Sequence, residues 1–519
     1  MERFEAMCRR LFDPAEGVRG HVVARWVFLR ALGGVYFSAF LALVFQAKGM
    51  IGTAGILPAG EYLKALHGAG GLGFWVAPTL LWISGSNGWL MTICWVGLVA
   101  SVLVAANTWP RGMLAVCFVC FLSFVGAARE FSGYQSDGML LEAGFLALFV
   151  APGGWRPGWG VRSRGVLAAY LLLVWEWFRI YFESGLVKLD SGDPTWRNLT
   201  AMYEYYQNGP LPTWIGWYLQ HLPHWFQRAT AGLTLGIELV LVWVALLGRR
   251  GRIVCFVVVT AWQIGVIASA NYAFLNYLVL VLAVLLLDDK VLRRWVPVRW
   301  RDGVVEEHSA EDSEREVSRW AWGAGSVLGW CFYATVVPLV RMMLPVPLAE
   351  EPVVMLEPFR IANTYGLFAV MTPHRYEIEF QGSNDGATWT AYPFRFKPQD
   401  VSARPGIYAP YQPRFEWNLW FASLGTWEQN EMVPRTQELL LAGDKDVLGL
   451  FAGNPFRAGP PKYVRAVMWQ YWFTSWEEKR KTGAWWRREE AGIYAPTLMR
   501  GADGKVMAAE DVSWRGPEP

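Results

Sequence analysis

The chain has 519 residues, 54% hydrophobic and 18% charged, with a mean hydropathy of +0.21. Soluble domains carry about 25% charged residues, so a water-soluble enzyme of this size is excluded, and 31 tryptophans suit a polytopic membrane protein with Trp at both interfaces. The net charge of +3 excludes nucleic-acid binding driven by bulk charge.

The start, MERFEAMCRRLF, is charged and amphipathic, with no A-x-A cleavage site before the first apolar run, so no signal peptide is expected. A spanning helix needs about 20 apolar residues. Nine such runs are read at 26–47, 86–106, 112–128, 138–152, 166–185, 229–247, 252–270, 272–287 and 319–344. The Gly- and Pro-broken stretch 56–84 reads as an interfacial or half-helix.

The basic residues then set an orientation. Arg3, Arg9, Arg10, Arg19 and Arg25 precede the first run, and Arg111 follows the second. Arg156, Arg162 and Arg164 follow the fourth, Arg249, Arg250 and Arg252 the sixth, and Lys290, Arg293, Arg294, Arg299 and Arg301 the eighth. With nine spans, all of these fall on one side, which the positive-inside rule makes cytoplasmic. The expected organisation is a cytoplasmic segment 1–25 and a transmembrane domain 26–347 with an external loop 186–228. The mixed-charge stretch 302–318 is a cytoplasmic linker, and 348–519 an extracytoplasmic domain.

Past Leu348 the chain turns polar, and its 19 basic and 21 acidic residues from 350 on nearly balance. In RYEIEFQGSNDGATWTAYPFRFKP, Tyr376, Ile378 and Phe380 alternate with charged residues, which predicts a strand. SNDG predicts a turn, and Thr388 to Phe396 a second strand. PKYVRAVMWQYWFTS is extended or mixed, and FEWNLWFASLG and PRTQELLLAG are helical candidates. The reading is a β-rich domain of sandwich type, with helices.

Searches for chemistry find no G-x-S-x-G, H-E-x-x-H or P-loop. No Cys occurs in the last 170 or so residues, so no disulfide framework holds the C-terminal part. Cys117 and Cys120 have C-x-x-C spacing inside an apolar run and read as packing. His221 and His224 have no acidic or Cys neighbour and read as loop packing, so no metal and no cofactor are expected.

Ionisable residues in apolar runs are the informative feature, because a charge at membrane depth must be paired or functional. These are Asp137, Glu142, Glu176, Arg179, Glu183, Lys188 and Glu238, with Glu176 and Arg179 spaced i, i+3 on one face. A salt-bridge network, a proton-handling or substrate site, and interfacial snorkelling are all consistent with them.

Several stretches resemble the lipase maturation factor family: FSGYQSDGMLLEAGFLALFVAP, YFESGLVKLDSGDPTWRNLTAMYEYYQNGPLPT, ASANYAFLNYL, NTYGLFAVMTPHRYEIEFQGSNDGATW, IYAPYQPRFEWNLWFASLG and GAWWRREEAGIYAP. The matches run in order from about residue 25 to 497. They carry Gln135, Asp193, Trp196, Asn271, Tyr272, Asn276, Asn363, Arg375, Trp389, Pro413, Arg414, Trp417, Trp420, Trp485 and Trp486. Ser136 replaces an expected large aromatic, and Glu416 the more usual Asp. The resemblance implies a multi-pass membrane protein whose animal relatives sit in the endoplasmic reticulum and help secreted lipases mature, with the C-terminal domain luminal.

The SWRGPEP ending is not of the K-D-E-L type, and the Arg-, Ala- and Trp-rich composition points to a bacterial inner membrane. The expected partners are the bilayer and a secreted or periplasmic lipase-like client, met by exposed aromatics such as Trp417, Trp420, Trp427, Trp485 and Trp486. YFESGLVKLD is also similar to vitamin K-dependent gamma-carboxylases and their bacterial membrane relatives, which implies a candidate catalytic base at Lys188. The alternative function is therefore a membrane enzyme of carboxylase or quinone/redox type with its site near Lys188, and the third a transporter.

Overall fold

The computed structural model describes residues 2–13, 17–68, 72–161, 163, 165–301, 319–501 and 504–509. The linker 302–318, Arg162, Arg164 and the SWRGPEP ending lie outside them. A short amphipathic helix, α1 (Glu2–Phe12), leads into the apolar helices α2 (Val22–Ile51), α3 (Asn87–Ala105), α4 (Pro110–Val125) and α5 (Gln135–Val150). There follow α6 (Leu167–Asp190), α7 (His224–Gly236), α8 (Gly248–Ser269), α9 (Leu275–Ala283) and α10 (Arg319–Met343). The stretch 56–84 holds the short helices Ala59–Gly68 and Gly73–Val76 and a 3-10 turn, Leu80–Trp82.

All nine predicted runs are helical. Among the described residues four helices, α2, α3, α8 and α10, are long and apolar enough to cross a membrane. The expected nine is not reached by that measure, for physical reasons. With 16 residues each, α4 and α5 fall short of a bilayer's thickness, and α6 has the length but carries Glu176, Arg179, Glu183, Lys188 and Asp190. Run 229–247 is broken in the middle: α7 passes into a π-turn, Ile237–Leu241, before one more α-turn, Val242–Val244.

Small residues let the helices approach closely. A Cβ at Gly97 would overlap the Phe40 ring, and one at Gly144 the Tyr36 hydroxyl. Tyr36 is fully buried there, its hydroxyl donating to Leu140 O at 3.0 Å.

The basic connections gather at one end of the bundle. Asp289 caps α2, accepting from the backbone N–H of Val22 at 2.9 Å and Val23 at 2.8 Å. Arg25 donates to Gly160 O at 2.6 Å, Arg111 to Ala151 O at 2.6 Å, and Arg249 pairs with Asp288 at 2.5 Å. The C-terminal part packs on the bundle away from these connections. Gln46, late in α2, donates to Gln412 O at 2.9 Å, and Asn271, just past α8, donates to Gly406 O at 3.0 Å.

The C-terminal part is built on one antiparallel sheet, not a sandwich. Its strands are β1 (Arg375–Ser383), β2 (Thr390–Ala391), β3 (Tyr463–Phe473), β4 (Trp486–Arg500) and β5 (Val506–Ala508), in the order β2-β1-β3-β4-β5. Two helices at the predicted places, α11 (Arg414–Ala422) and α12 (Met432–Ala442), lie against β1 and against β3 and β4. The strand read at β1 forms, with Ile378 and Phe380 fully buried and Tyr376 half-buried. Its charged face is covered too, since Glu377 and Glu379 are buried, and Lys397 reaches Glu377 at 2.9 Å and Ile378 O at 2.6 Å.

Residues from about 348 on share their core with the bundle. One hydrophobic core runs without a break from α2–α6 through Tyr365, Phe415 and Trp417 to β1 and β3. Fragment 349–519 expressed alone is therefore expected to lack a cooperative thermal transition and to be cut rapidly by protease. A sharp melt with protease resistance would show that the bundle is dispensable for its folding.

Candidate functional site

The buried charges form a chain of pairs along the seam between the bundle and the C-terminal part. At one end, Asp137, in the first turn of α5, takes a two-pronged contact from Arg414, with Nη1 to Oδ2 and Nη2 to Oδ1 both 2.7 Å. Arg414 opens α11 just after Pro413, also donates to Phe131 O at 2.9 Å, and lies over the Phe124 ring. Such a planar fork on a carboxylate is geometry that Lys cannot reproduce.

Five residues further along α5, Glu142 meets Arg179 of α6 in a short ion pair and accepts from Asn363 N at 2.9 Å and the Tyr365 hydroxyl at 2.9 Å. Arg179 also donates to Asn363 O at 2.5 Å, and Glu183 accepts from Tyr365 N at 2.7 Å. The expected Glu176–Arg179 pair along one helix does not form: Arg179 faces Glu142 and Glu183, while Glu176 is buried beside them with no hydrogen bond among the described residues.

The third pair is Lys188 with Glu238. Lys188 Nζ lies 2.9 Å from each Glu238 oxygen and donates to Leu367 O at 2.8 Å and Ser184 O at 3.4 Å. All three of its N–H donors are engaged. The nearby Asp190 and Asp193 are not its partners. Asp193 instead caps the turn at Thr195 at 2.8 Å and accepts from Met371 N at 2.7 Å. Partial burial raises its pKa, but these backbone donors outweigh that and hold it below the ordinary Asp value. Trp196 stacks over Lys188 and donates its indole N–H to Phe368 O at 3.0 Å.

The other motif residues also bridge elements. Gln135 accepts from Gly366 N at 3.0 Å. Asn271 accepts from Tyr408 N at 2.6 Å. Arg375 donates to Gln207 O and Pro210 O at 3.0 Å each and pairs with Glu377. Trp389 lies under Arg465. Glu416 accepts from the backbone N–H of Arg395, Phe396 and Lys397 at 2.9, 2.8 and 2.7 Å. Burial nevertheless leaves its pKa above the ordinary Glu value. Tyr272 and Asn276 each line one of two adjoining hollows beside the Lys188–Glu238 pair.

Three of the five tryptophans expected as exposed client contacts are buried: Trp417, Trp420 and Trp486. Trp417 and Trp420 sit on α11 where it faces the bundle, and Trp486 packs on Phe473 at 4.4 Å. Trp427 and Trp485 are half-buried, the latter under Lys479. Cys117 and Cys120 are buried, and His221 and His224 stack on Trp217 and Tyr203, as packing requires.

A model of the lipase maturation factor transmembrane domain matches residues 23–294, and one of the lipase maturation factor C-terminal domain matches residues 361–496. The chain belongs to the lipase maturation factor family. It is 32% identical to lipase maturation factor 1 of Bos taurus, covering 96% of this chain and 92% of that one, and 33% identical to the Homo sapiens protein, covering 92% and 88%. Lipase maturation factor 2 of Gallus gallus is 30% identical over 92% of this chain and 81% of its own length. No solved structure matches the chain significantly. The seam therefore joins the two domains that define the lipase maturation factor family, with Asp137, Glu142, Arg179 and Lys188 in the first and Asn363, Tyr365 and Arg414 in the second. The chain is accordingly a membrane protein of the maturation-factor type.

Sequence reasoning missed Gln46, Tyr365 and Lys397, which complete the seam and the sheet. Of the three only Tyr365 stood in a stretch that carries the family resemblance, and nothing local marks it as the partner of two carboxylates in other helices.

Proposed function

We propose that the chain is a maturation factor for secreted lipase-like clients, acting from the side of the membrane opposite its basic connections. The observation that carries this reading is likeness to curated lipase maturation factors over more than nine-tenths of the chain. The seam supports it, because its charges are spent on holding two domains together. In particular Lys188 Nζ has three acceptors within reach, an arrangement that favours a structural cation over a base. The test is co-expression with a secreted lipase. The specific activity of the secreted enzyme is expected to rise several-fold with the chain present. Equal specific activity with and without it would remove the client reading.

In this reading all nine helical stretches cross or re-enter the bilayer, the short ones tilted or enclosed within the bundle. The N-terminus is cytoplasmic and the C-terminal domain periplasmic, in a bacterial inner membrane, or luminal in an endoplasmic reticulum. The clustering of basic connections at one end of the bundle supports this orientation. Reporter fusions near residue 305 are expected to be cytoplasmic and those after residue 350 exterior. Both reporting the same side would make the span count wrong by at least one.

A further inference from the structure

The connection after α9 forms a basic and aromatic ledge at the end of the bundle. Its two short turns, Asp289–Leu292 and Val298–Arg301, are fixed from within. Leu292 and the buried Val296 pack on Val22 and Val23 at the start of α2. Arg301 donates to Val296 O at 2.9 Å and to Arg294 O at 3.1 Å, which ties the second turn to the first.

The outer side of the ledge is bare. Trp295 is 83% exposed, Val298 74% and Trp300 49%, with Arg299 lying over the Trp300 ring. Lys290, Arg293, Arg294 and Arg299 are exposed as well and form no ion pair among the described residues. The two acids at the start of the ledge are already spent, Asp289 on the backbone N–H groups of α2 and Asp288 on Arg249. Large exposed apolar side chains in one patch mark a contact surface, and here the patch also carries four cations without a counter-charge.

We infer that this ledge, residues 290–301, docks on the headgroups of anionic phospholipids. One occupant meets both demands: phosphates and net negative charge for the four basic side chains, and the layer beneath the headgroups for Trp295 and Trp300. A basic cluster directly after an apolar helix is the pattern of such recognition. The placement agrees, since the chain is apolar through α9 and its closing 3-10 turn, Val284–Leu286, up to Leu287. Trp155, in another connection at the same end, is 66% exposed. The neighbouring stretch 302–318 carries seven acids but no Trp, Tyr or Phe, so it matches the charges and not the tryptophans. The inference rests on the proposed placement of the basic connections at one membrane surface, on either side, and not on a client.

The test uses the full chain, without a client, in phosphatidylcholine nanodiscs carrying a trace of photoreactive phosphatidylglycerol or, separately, photoreactive phosphatidylcholine, each with a diazirine at the top of the acyl chain. Both leaflets hold the same lipid, so the outcome does not depend on which side the ledge faces. Peptides covering 287–301 are expected to take at least fivefold more label from phosphatidylglycerol, a preference that shrinks in high salt. Each basic side chain near an anionic surface is worth about fivefold in affinity, so Arg293→Gln, Arg294→Gln and Arg299→Gln together are expected to make the two lipids label these peptides equally. All three side chains are exposed and unpaired, and the melting of the triple variant should match wild type. Equal labelling by the two lipids in the unsubstituted protein would mean tryptophan insertion without headgroup recognition. A preference that survives in the triple variant would assign it to other basic connections. Label absent from 287–301 but present at the neighbouring connection 153–161 would mean that 302–318 or water covers the ledge. Each of these overturns the proposal. Failure of the placement reading itself looks different, because 153–161 would then stay unlabelled too.

Discussion

Arg414→Met is expected to deplete the folded protein from the membrane almost completely. The substitution roughly keeps side-chain volume but removes both prongs from Asp137, which has no exposure, and strips the donor from Phe131 O. Breaking a buried pair by removing one partner costs about 3–5 kcal/mol, against a total stability of about 5–15 kcal/mol for a typical domain. Asp137→Leu alone should also be severe, because it leaves the guanidinium stranded. The double variant Arg414→Met, Asp137→Leu is expected to recover much of the abundance, since exchanging both charges for apolar groups is often close to neutral. Membrane abundance and thermal melting of the three variants check this. Wild-type abundance and melting in Arg414→Met would mean that the seam is not held by this pair.

Lys188→Met is expected to be comparably damaging, and its rescue separates a structural role from a chemical one. The variant leaves Glu238 buried, and Leu367 O loses its donor. Lys188→Met combined with Glu238→Gln should restore abundance, because no unpaired charge remains. If the pair only holds the π-turn against α6, client activation returns with abundance. Lys188→Arg keeps the charge and should accumulate with activity within a few-fold of wild type, reduced by the poorer fit of a planar fork. Normal abundance with complete loss of function in Lys188→Arg would sink the structural account and favour catalysis at this position. The measurement needs two channels, protein in the membrane and specific activity of the secreted lipase.

The ionisable residues of the site could be read from the sequence because apolar runs make them conspicuous, and all but Glu176 are hydrogen-bonded, Glu183 to the Tyr365 N–H and the others to an opposite charge. Their partners could not. Glu176 and Arg179 have ideal spacing for a helix pair, yet the arginine turns to Glu142 on the next helix, where Tyr365 and Asn363 complete the shell. Tertiary geometry outweighs the small gain of an i, i+3 contact. Strand β4 escaped notice because its first half, WRREEAG, is largely exposed and its charges hide the two-residue period. The expected sandwich failed for the same reason that Glu377 and Lys397 surprised. A charged strand face implies water unless a buried counter-charge arrives from elsewhere in the chain. The tryptophans were ambiguous from the start, since one large amphipathic ring suits a core, an interface or a partner equally well.

The pairing of Asp137 with Arg414 also has a consequence in time. The two residues are 277 positions apart, and ribosomes add about 5–20 residues per second, so the carboxylate waits roughly 15–55 s for its cation. Throughout that interval α5 carries an acid that no bilayer tolerates cheaply. The nascent bundle must therefore stay in an aqueous or chaperoned niche, or hold the acid protonated, until the last third of the polypeptide emerges. Nonsense alleles that end after the last apolar helix, Arg319–Met343, but before Arg414 never escape this wait. They would be recognised by quality control as unfinished membrane domains, although every apolar helix has already been made.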